Sequence, residues 1–360
     1  MTRILIATDA WRPQVNGVVR TYENLAAHIA ALGVELTFLT PDEFRCVPCP
    51  TYPEIRLALP GFAHVADRIA SSHCDFIHIA TEGPIGWMTR AHCLKRGRPF
   101  TTSFHTRYAE YVTARFGVPE SWTYALQRRF HNSAAGVLIS SDSIAKDLTQ
   151  RGFERLLPWT RGVDTELFRP RAERLFGQAP VFLYVGRVAV EKNIESFLRL
   201  DLPGRKVVVG DGPLLAALRT QYPDVQFTGA RFGENLARCY ASADVFVFPS
   251  RTDTFGVVLL EAMASGVPVA AYPVPGPIDN VPSGIAGVLD ENLLQACLAA
   301  LRLDRAAVRR HALSFSWETT ARMFVQGIEY AVTGRTTAVG RTKRAMPRHL
   351  QGRKLGSKTA

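Results

Sequence analysis

The chain has 360 residues, 47% hydrophobic and 21% charged, which is long for one domain and comfortable for two. No apolar run reaches the roughly 18 residues needed to cross a bilayer, and Ile4-Leu5-Ile6-Ala7 is interrupted by Asp9 too soon for a signal peptide. The net charge of +11 is uneven: residues 331 to 360 hold eight basic residues and no acidic one, against 35 basic and 32 acidic residues before them. The expected location is therefore the cytosol, or peripherally on the cytosolic face of a membrane.

Cys46 and Cys49 form one C-x-x-C, but no second pair or histidine cluster completes a zinc site, so ordinary reduced thiols are expected. The basic tail has no Phe, Tyr or Trp. It cannot bury enough apolar surface to fold alone, and it lacks the stacking residues of a nucleic-acid module.

From the N-terminus, Ile4–Ala7 reads as a short buried strand, followed by a loop with Pro13 and Gly17. Val18, Tyr22, Leu25, Ile29 and Leu32 then fall on one helical face that Gly33 closes, and Val34–Leu39 is the next strand. Phe76–Ile79 and Gly136–Ile139 have the same look, with His78 as a core residue. Strands alternating with helices predict a doubly wound parallel sheet, with ligands at the C-terminal strand ends. Gly17 stands at such an end, where it allows either a close backbone approach to a ligand or a plain turn. His105, in Ser103-Phe104-His105-Thr106, also follows a strand; a lone histidine there serves either structure or a ligand.

Residues 159 to 170 form a non-periodic connection punctuated by Gly162 and Pro170, with Asp164 expected to tie it structurally. The pattern then restarts. Val181–Val185 is a strand, and its loop carries Arg187 and Lys192, two cations able to neutralise a diphosphate or simply to face solvent. Val225–Gly229 is another strand, leading to Arg231. Val245–Phe248 runs out at Pro249, and Phe255, Gly256 and Val257 open a helix that lasts until Gly266. A helix N-terminus after a strand and a polar loop is an anion site. Asp253 and Glu261 flank it; carboxylates cannot hold a phosphate, but they accept hydrogen bonds from sugar hydroxyls. Trp317, Ala321, Phe324 and Ile328 mark an amphipathic helix over residues 317 to 332.

The Asp253–seven residues–Glu261 pattern resembles the acid–seven residues–acid signature of family 4 glycosyltransferases, which usually has Glu first. Ser103-Phe104-His105-Thr106, Gly162-Val163-Asp164 and Gly186-Arg187…Glu191-Lys192-Asn193 are similar to that family's other motifs, in the same order. The resemblance covers roughly residues 1 to 332. It implies the α/β GT-B fold: two Rossmann-like doubly wound domains facing a cleft, with a C-terminal helix crossing back to the first. The expected division is 1–165 for the acceptor-side domain, 166–316 for the nucleotide-sugar domain, 317–334 for the crossover helix and 335–360 for the tail. It further implies a retaining transferase in which Arg187 and Lys192 clasp the donor diphosphate, with Gly17 and the Phe255–Val257 turn near the phosphates. In this reading Glu261 holds the ribose, Asp253 and His105 the donor sugar, and Arg231 lies near the base.

The chain has no D-x-D motif, so no metal or cofactor is expected, the cations and helix dipole taking that role. The donor would be a UDP- or GDP-sugar. The tail and Lys95, Arg96 and Arg98 of the first domain favour a lipid acceptor at an anionic membrane, diacylglycerol or a glycolipid ahead of a soluble sugar. Alternatives are an α-mannosyltransferase acting on a soluble or polysaccharide acceptor, a nucleotide-sugar epimerase, and a catalytically dead sugar-binding protein.

Overall fold

The computed structural model describes residues 1–14, 17–49, 52–105, 108, 109, 113, 117–253 and 255–335, and of residues 52–55 the backbone alone. Asn16, Thr106 and the tail from residue 336 lie outside the described residues.

The first half contains strands Thr2–Ala7 (β1), Val34–Leu39 (β2), Cys46–Cys49 (β3), Tyr52–Ala58 (β4), Phe76–Ile79 (β5), Thr101–Phe104 (β6), Gly136–Ile139 (β7) and Leu156–Pro158 (β8). Its helices are Gly17–Ile29 (α1), Phe62–Ser71 (α2), Pro84–Lys95 (α3), Glu120–His131 (α4) and Asp142–Gln150 (α5). Six of these strands form one parallel sheet in the order β2-β1-β5-β6-β7-β8, and β3 pairs with β4 as a separate antiparallel hairpin.

The second half repeats the plan with Val181–Val185 (β9), Arg205–Val209 (β10), Gln226–Gly229 (β11), Val245–Phe248 (β12), Val269–Ala271 (β13) and Gly287–Leu289 (β14). Helices Glu195–Leu198 (α6), Leu215–Gln221 (α7), Gly233–Ala241 (α8), Val257–Ala264 (α9), Pro277–Asn280 (α10), Leu293–Ala300 (α11) and Arg305–Ala312 (α12) connect and follow them. The sheet order is β11-β10-β9-β12-β13-β14, again parallel throughout.

Each sheet is covered on both faces, which is why its central strands read as unbroken apolar runs. In β1, Leu5 and Ala7 enter one cluster while Ile4 and Ile6 enter the other. In β9, Val181, Leu183 and Val185 face one core and Phe182 and Tyr184 the opposite one. Alternate side chains of a strand point to opposite faces, so each sheet builds two cores.

The last helix, Trp317–Thr333 (α13), is capped by Ser316, whose hydroxyl accepts from the Thr319 amide. It lies on the first sheet: Ala321, Phe324, Val325 and Ile328 share a cluster with Ile4, Tyr22, Leu138 and Trp159. The fully buried Trp159 donates its indole N–H to the Thr320 carbonyl at 3.1 Å. Gly162 permits the approach, since a Cβ there would stand 2.7 Å from the Trp317 nitrogen. The Val163 amide bonds to the Phe315 carbonyl at 3.1 Å, and Asp164 Oδ1 accepts from the amides of Glu166 and Leu167. The connection between the two sheets and the returning helix thus run side by side.

Candidate active site between the two sheets

Strands β9 and β12 are neighbours, so the loops leaving their C-terminal ends meet. The loop after β9 passes Gly186 and Arg187 and turns at Lys192, the last residue of the 3-10 turn Val190–Lys192; the next residue, Asn193, has a left-handed φ of 51°. Asn193 Nδ2 donates to the Pro249 carbonyl at 3.0 Å, and Thr252 Oγ1 donates to the Glu191 carbonyl at 3.2 Å. The Tyr184 hydroxyl donates to the Arg187 carbonyl at 2.7 Å. With the loops stitched in this way, Lys192 Nζ stands 2.5 Å from Asp253 Oδ1. The other carboxylate oxygen, Oδ2, is buried and lacks a hydrogen-bond partner among the described residues, as does Ser250 Oγ in the same loop. Buried polar atoms are rarely left this way, and an orphaned acceptor beside a cation is where a hydroxyl-bearing ligand would fit.

Helix α9 begins two residues beyond the buried Phe255, with Gly256 as its N-cap at φ 74°. The first-turn amides of a helix lack intrahelical acceptors and carry its positive end. The Phe255 carbonyl is fixed by Asn280 Nδ2 at 2.8 Å. In α10 the preceding residue, Asp279, accepts from the Gly276 amide at 3.1 Å and from both the amide and hydroxyl of Ser143 in the first domain. Helix α10 therefore braces the α9 entrance against α5.

Glu261, one turn into α9, is 5% exposed. Tyr240 in α8 donates its hydroxyl to Oε2 at 2.8 Å. Oε1 pairs with Arg20 Nη1 at 3.3 Å, a contact from the first turn of α1 across to the second domain. Burial raises the Glu261 carboxyl above its usual range, opposed by the Arg20 charge and then by the Tyr240 hydrogen bond. Gly17, the first residue of α1, faces open space: a Cβ at that position would meet no atom within 4 Å. Sequence reasoning missed Arg20. Its signal is a cation in the first turn of a helix, where the dipole disfavours positive charge, at the ligand-binding end of a sheet.

His105 leaves the end of β6 and enters a polar network inside the first domain. Tyr22 Oη lies 3.0 Å from His78 Nε2, 3.3 Å from Ser103 Oγ and 3.2 Å from His105 Nε2. Arg161 Nη2 lies 3.2 Å from His105 Nδ1, and its guanidinium carbon 4.1 Å from the Trp159 ring centroid. Arginine only donates, so Nδ1 is the acceptor and the imidazole proton sits on Nε2. Burial, then the Arg161 charge, holds the His105 pKa well below its usual value. The ring is thus a neutral, oriented group rather than a proton carrier near neutrality.

The structure brings Arg187, Lys192, Asp253, Phe255, Gly256, Val257 and Glu261 to one pair of strand ends, with Gly17 facing them through Arg20. Arg231 is apart: it follows the edge strand β11, separated from β12 by β10 and β9, and is exposed. Arg98 is half-buried, with its guanidinium on the Cys74 carbonyl. Among the described residues no group of three His, Cys, Asp or Glu side chains is placed to hold a metal ion.

Residues 15–167 match the family model described as Glycosyltransferase Family 4, and residues 179–302 the one described as Glycosyl transferases group 1. A GDP-mannose-dependent alpha-mannosyltransferase of Mycobacterium tuberculosis is 30% identical, covering 93% of this chain and 98% of the relative. Sulfoquinovosyl transferase SQD2 of Arabidopsis thaliana is 32% identical over 80% of this chain and 63% of its own length. An alpha-monoglucosyldiacylglycerol synthase of Streptococcus pneumoniae is 26% identical over 87% and 81%. Among solved structures, sucrose-phosphate synthase from Thermosynechococcus elongatus superposes with a TM-score of 0.74 at 22% identity, covering 90% of this chain and 97% of that one. Two parallel sheets with a site at adjoining strand ends, and full-length similarity to such enzymes, lead to one conclusion: the chain belongs to glycosyltransferase family 4 and has the GT-B fold.

Proposed function

We propose that this enzyme moves a hexosyl group from a UDP- or GDP-sugar to a lipid hydroxyl at a membrane surface, retaining anomeric configuration and using no metal ion. The observation that carries the donor half is the Lys192–Asp253 pair at the start of α9, with the orphaned Asp253 Oδ2 and Ser250 Oγ beside it. In this reading Arg187, Lys192 and the amides opening α9 stabilise charge on the departing nucleoside diphosphate. Asp253 Oδ2 accepts from a sugar hydroxyl, and Glu261 accepts from the ribose. His105, a neutral ring fixed by Arg161 and Tyr22, is assigned to the donor sugar in the same reading. GDP-mannose is the favoured donor, because relatives bearing that name match 93% and 92% of this chain.

The lipid acceptor draws support from the first domain. A groove of about 560 Å³, lined by apolar residues including Leu59, Pro60, Trp87 and Met88, runs beside the start of α3. Phe62 and Leu94 are exposed nearby, Lys95 Nζ sits 5.2 Å from the Phe62 ring centroid, and Arg96 is exposed. Near an anionic leaflet each such cation contributes about 1 kcal/mol, and the eight tail cations add to them. The test of this half is sedimentation with anionic vesicles at low and high salt, for the whole chain and for one lacking residues 336–360. Binding weakened by salt and by truncation supports it; a product formed solely on a soluble saccharide overturns it.

A further inference from the structure

We propose that Arg20 is a positioning residue of the donor site, keeping the Glu261 carboxylate ionised and aimed so that nucleotide binding depends on a charge supplied by the first domain. The proposal rests on the reading of Glu261 as the ribose acceptor and deepens it. Glu261 is buried in α9, where an isolated carboxylate would be driven toward its neutral acid. An acid proton would turn one of its two oxygens from acceptor to donor, and hydroxyls of a ribose would lose half of their anchor.

Among the described residues two groups face the carboxyl, each from a different element. Tyr240 of α8 donates to Oε2, and its own ionisation is suppressed by burial and by Glu261, so it supplies a dipole but no charge. Arg20 of α1 is the cation, 3.3 Å from Oε1. An ionised carboxylate has about four acceptor sites, so these two donors leave room for hydroxyls without displacing either. Arg20 is itself only partly buried, its side chain 35% exposed against 6% for Glu261. It can therefore follow a shift of α1 while the carboxylate stays fixed by Tyr240. Because α1 begins at Gly17, any movement that brings this turn toward the donor also sets the distance from Arg20 to Glu261. Nucleotide affinity and the placement of the first domain become one equilibrium, as linkage requires.

The experiment measures binding of GDP and UDP by calorimetry between pH 5.5 and 8.5 for the wild type, Arg20→Ala, Arg20→Gln and Arg20→Lys, each checked for folding by circular dichroism. The expected result is an affinity loss on the order of tenfold for Arg20→Ala and Arg20→Gln at low pH, a typical coupling between sites. The loss shrinks as pH rises and Glu261 ionises, and Arg20→Lys restores most of it. A 2′,3′-dideoxynucleoside diphosphate should bind all four proteins with equal affinity. In transfer assays KM for the donor should rise more than kcat falls. Wild-type affinity in folded Arg20→Ala, or a loss independent of pH and of the ribose hydroxyls, overturns the proposal. Failure of the wild type to bind either nucleotide would overturn the donor-site reading instead.

Discussion

Replacing Lys192 with alanine isolates the proposed phosphate contact from the fold. Its ammonium stands 2.5 Å from Asp253 Oδ1, and the two side chains are 21% and 19% exposed, so the pair is neither fully solvated nor dry. For stability this places the loss near that of a partly screened pair, about 1 kcal/mol, below the roughly 3–5 kcal/mol of breaking a fully buried one. Catalysis should suffer more. Removing one preformed donor to a developing anion costs about 2.7–4 kcal/mol, or roughly 100- to 1,000-fold in kcat. Turnover at saturating donor, followed as nucleoside diphosphate released, should therefore fall by at least about 100-fold in a variant whose melting temperature drops by only a few degrees. Lys192→Arg should recover part of the rate, since it returns charge in a wider, planar form. A folded Lys192→Ala protein turning over at the wild-type rate would refute the reasoning, and would remove the Lys192–Asp253 pair from the site.

Three further outcomes follow from other parts of the molecule. Burial pushes the His78 pKa down to about 3 and holds His105 well below its usual value, while in the unfolded chain both take up protons at about 6.5. For His78 the unfolded state therefore binds more protons between those limits, and stability falls as pH drops from about 6.5 toward 3, by up to about 1.4 kcal/mol per pH unit, with His105 acting in the same direction; urea midpoints should show this, with a shallower slope in His78→Gln. Gly162→Ala forces a methyl group against the Trp317 backbone, so it should cost about 1–3 kcal/mol by loosening α13, measurable as a lowered melting temperature. Transfer should survive excess EDTA if, as proposed, Arg187, Lys192 and the α9 amides supply the positive charge; loss of activity restored by magnesium or manganese would contradict this.

Much of the fold was legible because its signals are local. The apolar runs of β1, β9 and β12 are buried on both faces, as their composition says, and Gly33, Gly266 and Pro249 mark where elements stop. The stretch from Val245 to Gly266 carries its strand, loop and helix start in order, so these elements could be read residue by residue. The β3–β4 hairpin carries no such mark, because Pro48 and Pro53 stand inside its strands, where a proline removes a ladder donor. What periodicity cannot register is which elements meet. Arg20 and Glu261 are 241 positions apart, and Ser143 and Asp279 are 136 apart. Arg161 looked like part of an irregular connection, yet it is 3% exposed and stacked on Trp159 beside His105. Its burial among Trp159, Thr160 and His105 is a tertiary fact with no local mark. The same applies to Arg98, whose inward turn onto Cys74 is set by the packing of the first domain.

The most direct test is to incubate the purified chain with GDP-mannose, UDP-glucose and UDP-galactose, each with vesicles containing diacylglycerol and glycolipid, and to identify products by mass spectrometry and their anomeric configuration by NMR. The account predicts release of nucleoside diphosphate matched by a hexosylated lipid of retained configuration, and loss of both in Glu261→Ala. Nucleotide sugar returned with its hexose epimerised, or no nucleotide released with any donor by the folded protein, would contradict it.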